Sequence, residues 1–287
     1  MTFVWNESHF FKNWAKPGPW VSPSDNPDLQ PNSDETLDAL CGHYRIFQLS
    51  KGHRYSTDDL LTAWYGTAWC PSARNVLDLG SGTGSVGMSV AWKLQGVRVV
   101  AIEAQEISVQ LAHKSVKFNG LENRYEIRHG DLRDPAILSK DEKFDLILGS
   151  PPYFPMDAGI HGAHPQKIAC RFELRGSIID YCKVASEHLD WGGMFACIFP
   201  ILPDHQAKRV INAAKEAGLT IVRQRPIIFK EGDLPLLSVF AMVRSDHLPE
   251  SFRNQTWQEP PLIIRTLSGD THPEYSAVAL TMGLPPC

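Results

Sequence analysis

Four residues carry the most specific chemistry in this chain: Ser150-Pro151-Pro152-Tyr153, placed directly after an apolar run at 144–148 that reads as a buried strand. An amine conjugated to a ring or a carbonyl is a poor nucleophile, because its lone pair is delocalised. Hydrogen-bond acceptors at its protons draw the nitrogen towards tetrahedral geometry and free that pair. The Ser150 hydroxyl and the Pro151 carbonyl are such acceptors, and Pro151 and Pro152 fix the backbone that aims them. The Tyr153 ring can stack on a base, a contact of about 1–3 kcal/mol. The loop therefore suits methyl transfer to a planar amine. A rigid turn would use the same prolines, but an aspartate-bearing strand before the loop and a glycine turn upstream favour the chemical reading.

That glycine turn is Gly80-Ser-Gly82-Thr-Gly84, after the strand-like 76–79. Its glycines permit a sharp strand-to-helix turn and let backbone N–H groups approach a ligand. About 20 residues on, Glu103 ends a second strand, where a carboxylate can accept from both hydroxyls of a ribose. Asp131 follows a third strand and can hold an exocyclic adenine amine. Asp78 points towards the turn and can orient an amino-acid moiety. Residues 82–87 also fit the GxGxxG dinucleotide pattern. The glycines begin one turn earlier, however. With Asp131 and the Pro-Pro-Tyr loop, this favours S-adenosylmethionine over a nicotinamide. A sulfonium donor loses its charge on transfer, so no strong general base is required. A base entering such a pocket must be single-stranded or flipped out.

The elements that position these groups alternate. Strands are expected at 76–79, 97–102, 125–128, 144–148 and 194–199, with helices at 85–94, 105–118, 171–188 and 204–217 between them. Strands near 219–225 and 237–243 close the sheet. The pattern predicts an α/β, Rossmann-like, doubly wound and mostly parallel seven-stranded sheet. Residues 1–43 form an extension with Pro17, Pro19, Pro23, Pro27 and Pro31 among Trp5, Trp14 and Trp20, either a segment draped over the domain or an arm that contacts substrate. The domain itself spans 44–245. Residues 246–287 form a C-terminal extension packing on it, in which 262–265 can add a strand.

Composition sets outer bounds. No apolar run is long enough for a membrane span, and the first residues lack a basic-then-apolar leader. The six cysteines show no CxxC or Cys/His ligand spacing. The expectation is a cytoplasmic protein with reduced thiols, without membrane or metal. A net charge of −4 gives no global attraction to nucleic acid, so a basic surface for it must be local. Lys167 and Arg171, after the Pro-Pro-Tyr loop, are candidates for phosphates, as is Arg175. Lys208, Arg209 and Lys215 read as a solvated helix face. His161 and His164 make no metal site by themselves. The sequence leaves the oligomeric state open.

Taken together, these residues resemble the class I S-adenosylmethionine-dependent amino-methyltransferases. They are most similar to the bacterial enzymes that make N6-methyladenine beside the anticodon of a valine tRNA. The resemblance covers about residues 44–285. It includes Lys51-Gly52-His53-Arg54-Tyr55-Ser56-Thr57-Asp58-Asp59 before the first strand, the Ala169-to-Glu173 stretch after the loop, and Leu262–Arg265 with Glu274-Tyr275-Ser276. It implies that Thr57 and Asp58 lie near the cofactor's methionine part, and that Ser150 serves both cofactor and acceptor. The implied substrate is an adenine in RNA, specifically tRNA. The family's motif has Asn where this chain has Ser150. SPPY loops occur in enzymes acting on the cytosine amine of DNA. DNA, a protein glutamine amide and a non-catalytic cofactor-binding role therefore stay open beside the tRNA reading.

Overall fold

The computed structural model describes residues 10–21, 26–155 and 164–285. Trp5, Pro23 and His161 lie outside that set. After a two-residue ladder, β1 (Phe10–Phe11) with β2 (Trp14–Ala15), an antiparallel hairpin pairs β3 (Glu35–Ala39) with β4 (Arg45–Leu49). The alternating part runs α1 (Thr57–Trp69), β5 (Asn75–Leu79), α2 (Ser85–Lys93), β6 (Arg98–Glu103), α3 (Glu106–Phe118), β7 (Tyr125–His129) and β8 (Phe144–Gly149). It continues through α4 (Pro165–Arg171), α5 (Ile178–His188), β9 (Leu189–Pro200), α6 (Asp204–Glu216), β10 (Leu219–Lys230) and β11 (Leu237–Arg244). The chain closes with β12 (Trp257–Gln258), β13 (Leu262–Arg265) and α7 (Pro273–Thr281).

The central sheet has the order β10-β11-β9-β8-β5-β6-β7, with β11 antiparallel to both neighbours and the rest parallel. These seven strands are the expected sheet. Two short strands run parallel to β10 and raise the total to nine: β13, at the 262–265 stretch expected to add a strand, and β12, which the sequence did not signal. Successive strand residues point to opposite faces, and the central strands β5 and β8 are buried on both faces, so they are largely apolar, whereas the outer β7 and β10 carry several polar and charged residues. In β5, Val76 joins the core on one side while Leu77 and Leu79 join the other. In β8, Leu146 and Leu148 oppose Ile147 in the same way.

Register decides where the site falls. Leu79 sits opposite Ile102 on one side and Gly149 on the other, and Glu103 sits opposite His129. The residues that leave β5, β6, β7 and β8 thus emerge in one row at the carboxyl edge. Chain order reverses at β5, the position at which such sheets open a ligand crevice.

The helix expected at 171–188 is two elements. Phe172 is extended (φ −108°, ψ 148°), because it pairs with Phe154 rather than continuing the turn. A fresh helix starts at Ile178 from a Ser177–Asp180 capping box. The flanking segments pack on the domain. Glu259 accepts from the Tyr65 hydroxyl at 2.7 Å and from Arg223 at 2.9 Å, while Leu262, Ile264, Val278 and Met282 join the core. Trp92, at the end of α2, is the meeting point of Gly18, Gly42 and Gly283, and the Gly42 amide donates to the Gly283 carbonyl at 2.8 Å. No helix among the described residues is long and apolar enough to cross a membrane.

Candidate active site

A cavity of about 680 Å³ opens at the carboxyl edge of the sheet. The β5–α2 turn forms its floor. Gly80 takes φ +61°, and a Cβ there would stand 2.0 Å from the Tyr181 hydroxyl, so both conformation and space require glycine. Glu103, 6% exposed, accepts from the Gly82 amide at 2.8 Å and the Gln105 amide at 2.7 Å. Burial pushes its carboxyl pKa up. Each oxygen keeps lone-pair capacity facing the cavity, enough to accept from a vicinal diol. The Ser81 hydroxyl in the same turn is buried with no partner among the described residues, a polar atom left for a ligand.

The start of α1 forms a second wall. Ser56 caps the helix, and Asp59 returns the bond by accepting from the Ser56 amide at 2.7 Å. Asp58 accepts from the Tyr153 hydroxyl at 2.7 Å. Burial pushes up the pKa of Asp58, takes Asp59 to about 6, and takes Asp78 to about 8 against the pull of its bond from the Gly87 amide. Asp58, Asp59, Asp78 and Glu103 are thus a carboxylate group under mutual repulsion, an environment that favours a cation beside it. Among the described residues, no three His, Cys, Asp or Glu side chains are grouped to hold a metal ion.

The third wall is the loop after β8. Ser150, Pro151, Pro152, Tyr153 and Phe154 all line the cavity. The Tyr153 ring meets Phe199 edge-on at 5.7 Å, and its carbonyl accepts from Gln206 at 3.2 Å and Arg209 at 3.1 Å. Phe154 exchanges backbone bonds with Arg171 and Glu173, which ties the loop to the segment that follows it. That segment crosses the cavity. Gln166, 3% exposed, accepts from the His53 amide at 2.9 Å and donates to Ser108 at 3.1 Å. Lys167, Arg171 and Arg175 line the cavity too, and among the described residues none forms an ion pair. Burial, then Arg171 and Lys167, push the His53 pKa down.

Of the residues singled out in the sequence, Asp58, Gly80, Gly82, Glu103, Ser150, Pro151, Pro152, Tyr153, Lys167 and Arg171 share this one cavity. Four do not line it. Thr57 is the first residue of α1, and Gly84 caps α2 in a left-handed conformation. Asp78 is 1% exposed beneath the turn, bonded to Gly87. Asp131 turns to Arg133, accepting at 2.6 and 2.9 Å, while its neighbours Gly130 and Leu132 face the cavity. Asp59, Gln166, Gln206 and Arg209 escaped sequence reasoning. For Asp59, the Ser-x-x-Asp capping box was the available signal. Arg209 is no solvated residue, since besides Tyr153 it contacts Glu173 and lies over the Phe199 ring.

The description "methyltransferase small domain" fits residues 59–167. A tRNA1(Val) (adenine(37)-N6)-methyltransferase of Haemophilus influenzae (strain PittGG) is 30% identical over 209 residues, covering 69% of this chain and 82% of that protein. A release factor glutamine methyltransferase of Aliivibrio fischeri is 37% identical, over 83 residues that make up 28% of its length. A crystal structure described as a predicted O-methyltransferase, from Agrobacterium tumefaciens, superposes with a TM-score of 0.60 at 17% identity. It covers 80% of this chain and 98% of that one, a likeness of fold.

Proposed function

The chain belongs to the family of the tRNA1(Val) (adenine(37)-N6)-methyltransferases, and on that premise we propose that it transfers a methyl group from S-adenosylmethionine to the N6 amine of an adenine in tRNA. The carrying observation is that one cavity is lined by the glycine turn, Glu103 and the Ser150–Tyr153 loop together. The donor set fits the cofactor: Glu103 for the ribose hydroxyls, the unpartnered Ser81 hydroxyl for a polar group, and buried carboxylates beside a cationic molecule. S-adenosylmethionine, when bound, supplies an electrophilic methyl group on a sulfonium.

The chain's own residues do the rest. Ser150 and the Pro151 carbonyl accept from the acceptor amine and free its lone pair, and Tyr153 or the neighbouring exposed Phe154 stacks on the base. Lys167, Arg171 and Arg175 meet the flanking phosphates, which supplies the local basic surface that the overall charge does not. Asp78 and Gly84 act one layer below, shaping the turn, and Thr57 sets the start of α1.

The test is transfer from isotopically labelled S-adenosylmethionine into total tRNA, genomic DNA and bulk protein, read by nucleoside and amino-acid mass spectrometry. Labelled N6-methyladenine in tRNA is the expected result. A second reading, methylation of a glutamine amide, draws on the partial match to the release factor enzyme. Label confined to protein glutamine would establish it, and label confined to DNA cytosine would assign the Ser150 loop to that base.

A further inference from the structure

We infer, on the tRNA reading proposed above, that Gln166 is a positioning residue for the substrate: its amide clamps the first turn of α4 between two walls of the cavity and so sets where Lys167 stands. Gln166 is 3% exposed, on a short helix whose other residues are half-buried or exposed. A polar side chain is buried at little cost only when its hydrogen bonds are made. Here both ends of the amide are used. Oε1 accepts from the His53 amide at 2.9 Å, and Nε2 donates to Ser108 Oγ at 3.1 Å. His53 precedes α1 and Ser108 lies in the first turn of α3, so one planar group joins three segments that are remote in sequence.

The neighbours are shaped around this amide. A Cβ at Gly52 would stand 2.1 Å from Gln166 Oε1, so a larger residue there would push the amide off the His53 N–H. Ser108 is itself fully buried and presents its hydroxyl from the opposite wall. Glutamine matches the two walls because it carries an acceptor at one atom and a donor at the other. Glutamate would lose the donor and add a charge to a cavity already lined by Asp58, Asp59 and Glu103.

The two ends of α4 are held by different groups. The last turn is tied by the Cys170 sulfur, which accepts from Gln105 Nε2 at 3.4 Å, and by the Arg171 carbonyl, which accepts from the Phe154 amide at 3.1 Å. The first turn is tied by the Gln166 clamp. Lys167 follows Gln166 directly and lines the cavity. An ammonium on a flexible four-carbon stem is placed by its backbone, since the stem fixes little by itself. Releasing the first turn therefore displaces Lys167, while Arg171 stays held through Phe154.

This difference between the two ends makes a test. Gln166→Met keeps the length of the side chain and removes both bonds. The Kd for tRNA at low salt should rise about tenfold, and the slope of log K against log salt should fall by about 0.7–0.9, the share of one phosphate contact. The Kd for S-adenosylmethionine, and kcat at saturating tRNA, should stay within about threefold. In a Lys167→Ala background, Gln166→Met should weaken tRNA binding by less than about twofold, whereas in an Arg171→Ala background it should keep its effect of about tenfold. Equal effects in the two backgrounds, or an unchanged slope, overturn the inference. Ser108→Ala removes one of the two bonds from the far wall, and it decides the matter should Gln166→Met fail to fold. It should weaken tRNA binding about threefold, and again not in the Lys167→Ala background; additivity with Lys167→Ala overturns the inference. Failure of the unmodified chain to bind and label tRNA would overturn the function reading. A chain that labels tRNA without coupling between Gln166 and Lys167 would overturn the positioning role alone.

Discussion

Arg209 Nη1 donates to the carbonyl of Tyr153 at 3.1 Å, reaching the acceptor loop from outside the cavity. The same guanidinium contacts Glu173 and lies over Phe199, so α6, the loop after β8 and the segment after α4 converge on one side chain. Lysine cannot reproduce this, having no planar fork to span two acceptors. Arg209→Lys and Arg209→Ala should each lower kcat by about tenfold or more, with cofactor Kd unchanged. Equal weakening of cofactor binding would show that Arg209 supports the whole cavity rather than the loop.

Glu103→Ala removes the carboxylate that orders Gly82 and faces the cavity. Cofactor Kd should rise about 10–100-fold by calorimetry, the range for losing hydrogen bonds to a charged group. An unchanged Kd would remove Glu103 from cofactor binding.

The buried carboxylates give the site a pH signature. Asp59, with a pKa of about 6, and Asp78, with one of about 8, both lie above the ordinary unfolded value of about 3.9. The unliganded fold therefore holds protons that the unfolded chain releases. It loses stability as pH rises from about 4 through those values. A cationic ligand favours the ionised carboxylates, so affinity for S-adenosylmethionine should rise with pH through about 6. Affinity for the uncharged demethylated thioether should rise less. Titrations of both ligands between about pH 5 and pH 8 check this; parallel profiles would exclude the carboxylates as a cation site.

Lys167, Arg171 and Arg175 should act as phosphate contacts. Alanine at each should weaken tRNA binding at low salt and reduce the slope of log K against log salt by about 0.7–1. Loss of activity with an unchanged slope would place that residue in the chemistry instead.

Gly42 takes φ +53°, and a Cβ there would stand 2.1 Å from the Pro17 carbonyl and 2.7 Å from Trp92 Nε1. Gly42→Ala should cost about 2–4 kcal/mol, visible as a lowered Tm. An unaltered Tm would show that the N-terminal segment contributes nothing to stability.

Local pattern carried much of this architecture. The strand–turn–helix at residues 76–93 was legible, because apolar runs and glycines announce themselves within a few residues. Glu103 was legible because the fold fixes its distance from the glycine turn. Residues whose partners are remote were not. Arg209 looks like a helix-face cation until the chain brings Tyr153 to it. Gln166 looks like a polar loop residue until His53 and Ser108 meet its amide. Asp131 has a local partner that the sequence reading did not weigh: Arg133, two residues on, donates to both carboxylate oxygens. The two residues of β12 are too few for a period, and only their pairing with β10 defines that strand.

The bond between Gly42 and Gly283 on the face of Trp92 also has a meaning in time. Translation delivers Gly42 long before Gly283. The central strands can pair while the chain is still on the ribosome, but part of the Trp92 surface stays uncovered until Gly283 is made. Nascent chains of this protein therefore carry a partly open indole-bearing face until the segment bearing Gly283 docks, and chaperone protection is needed most in that interval.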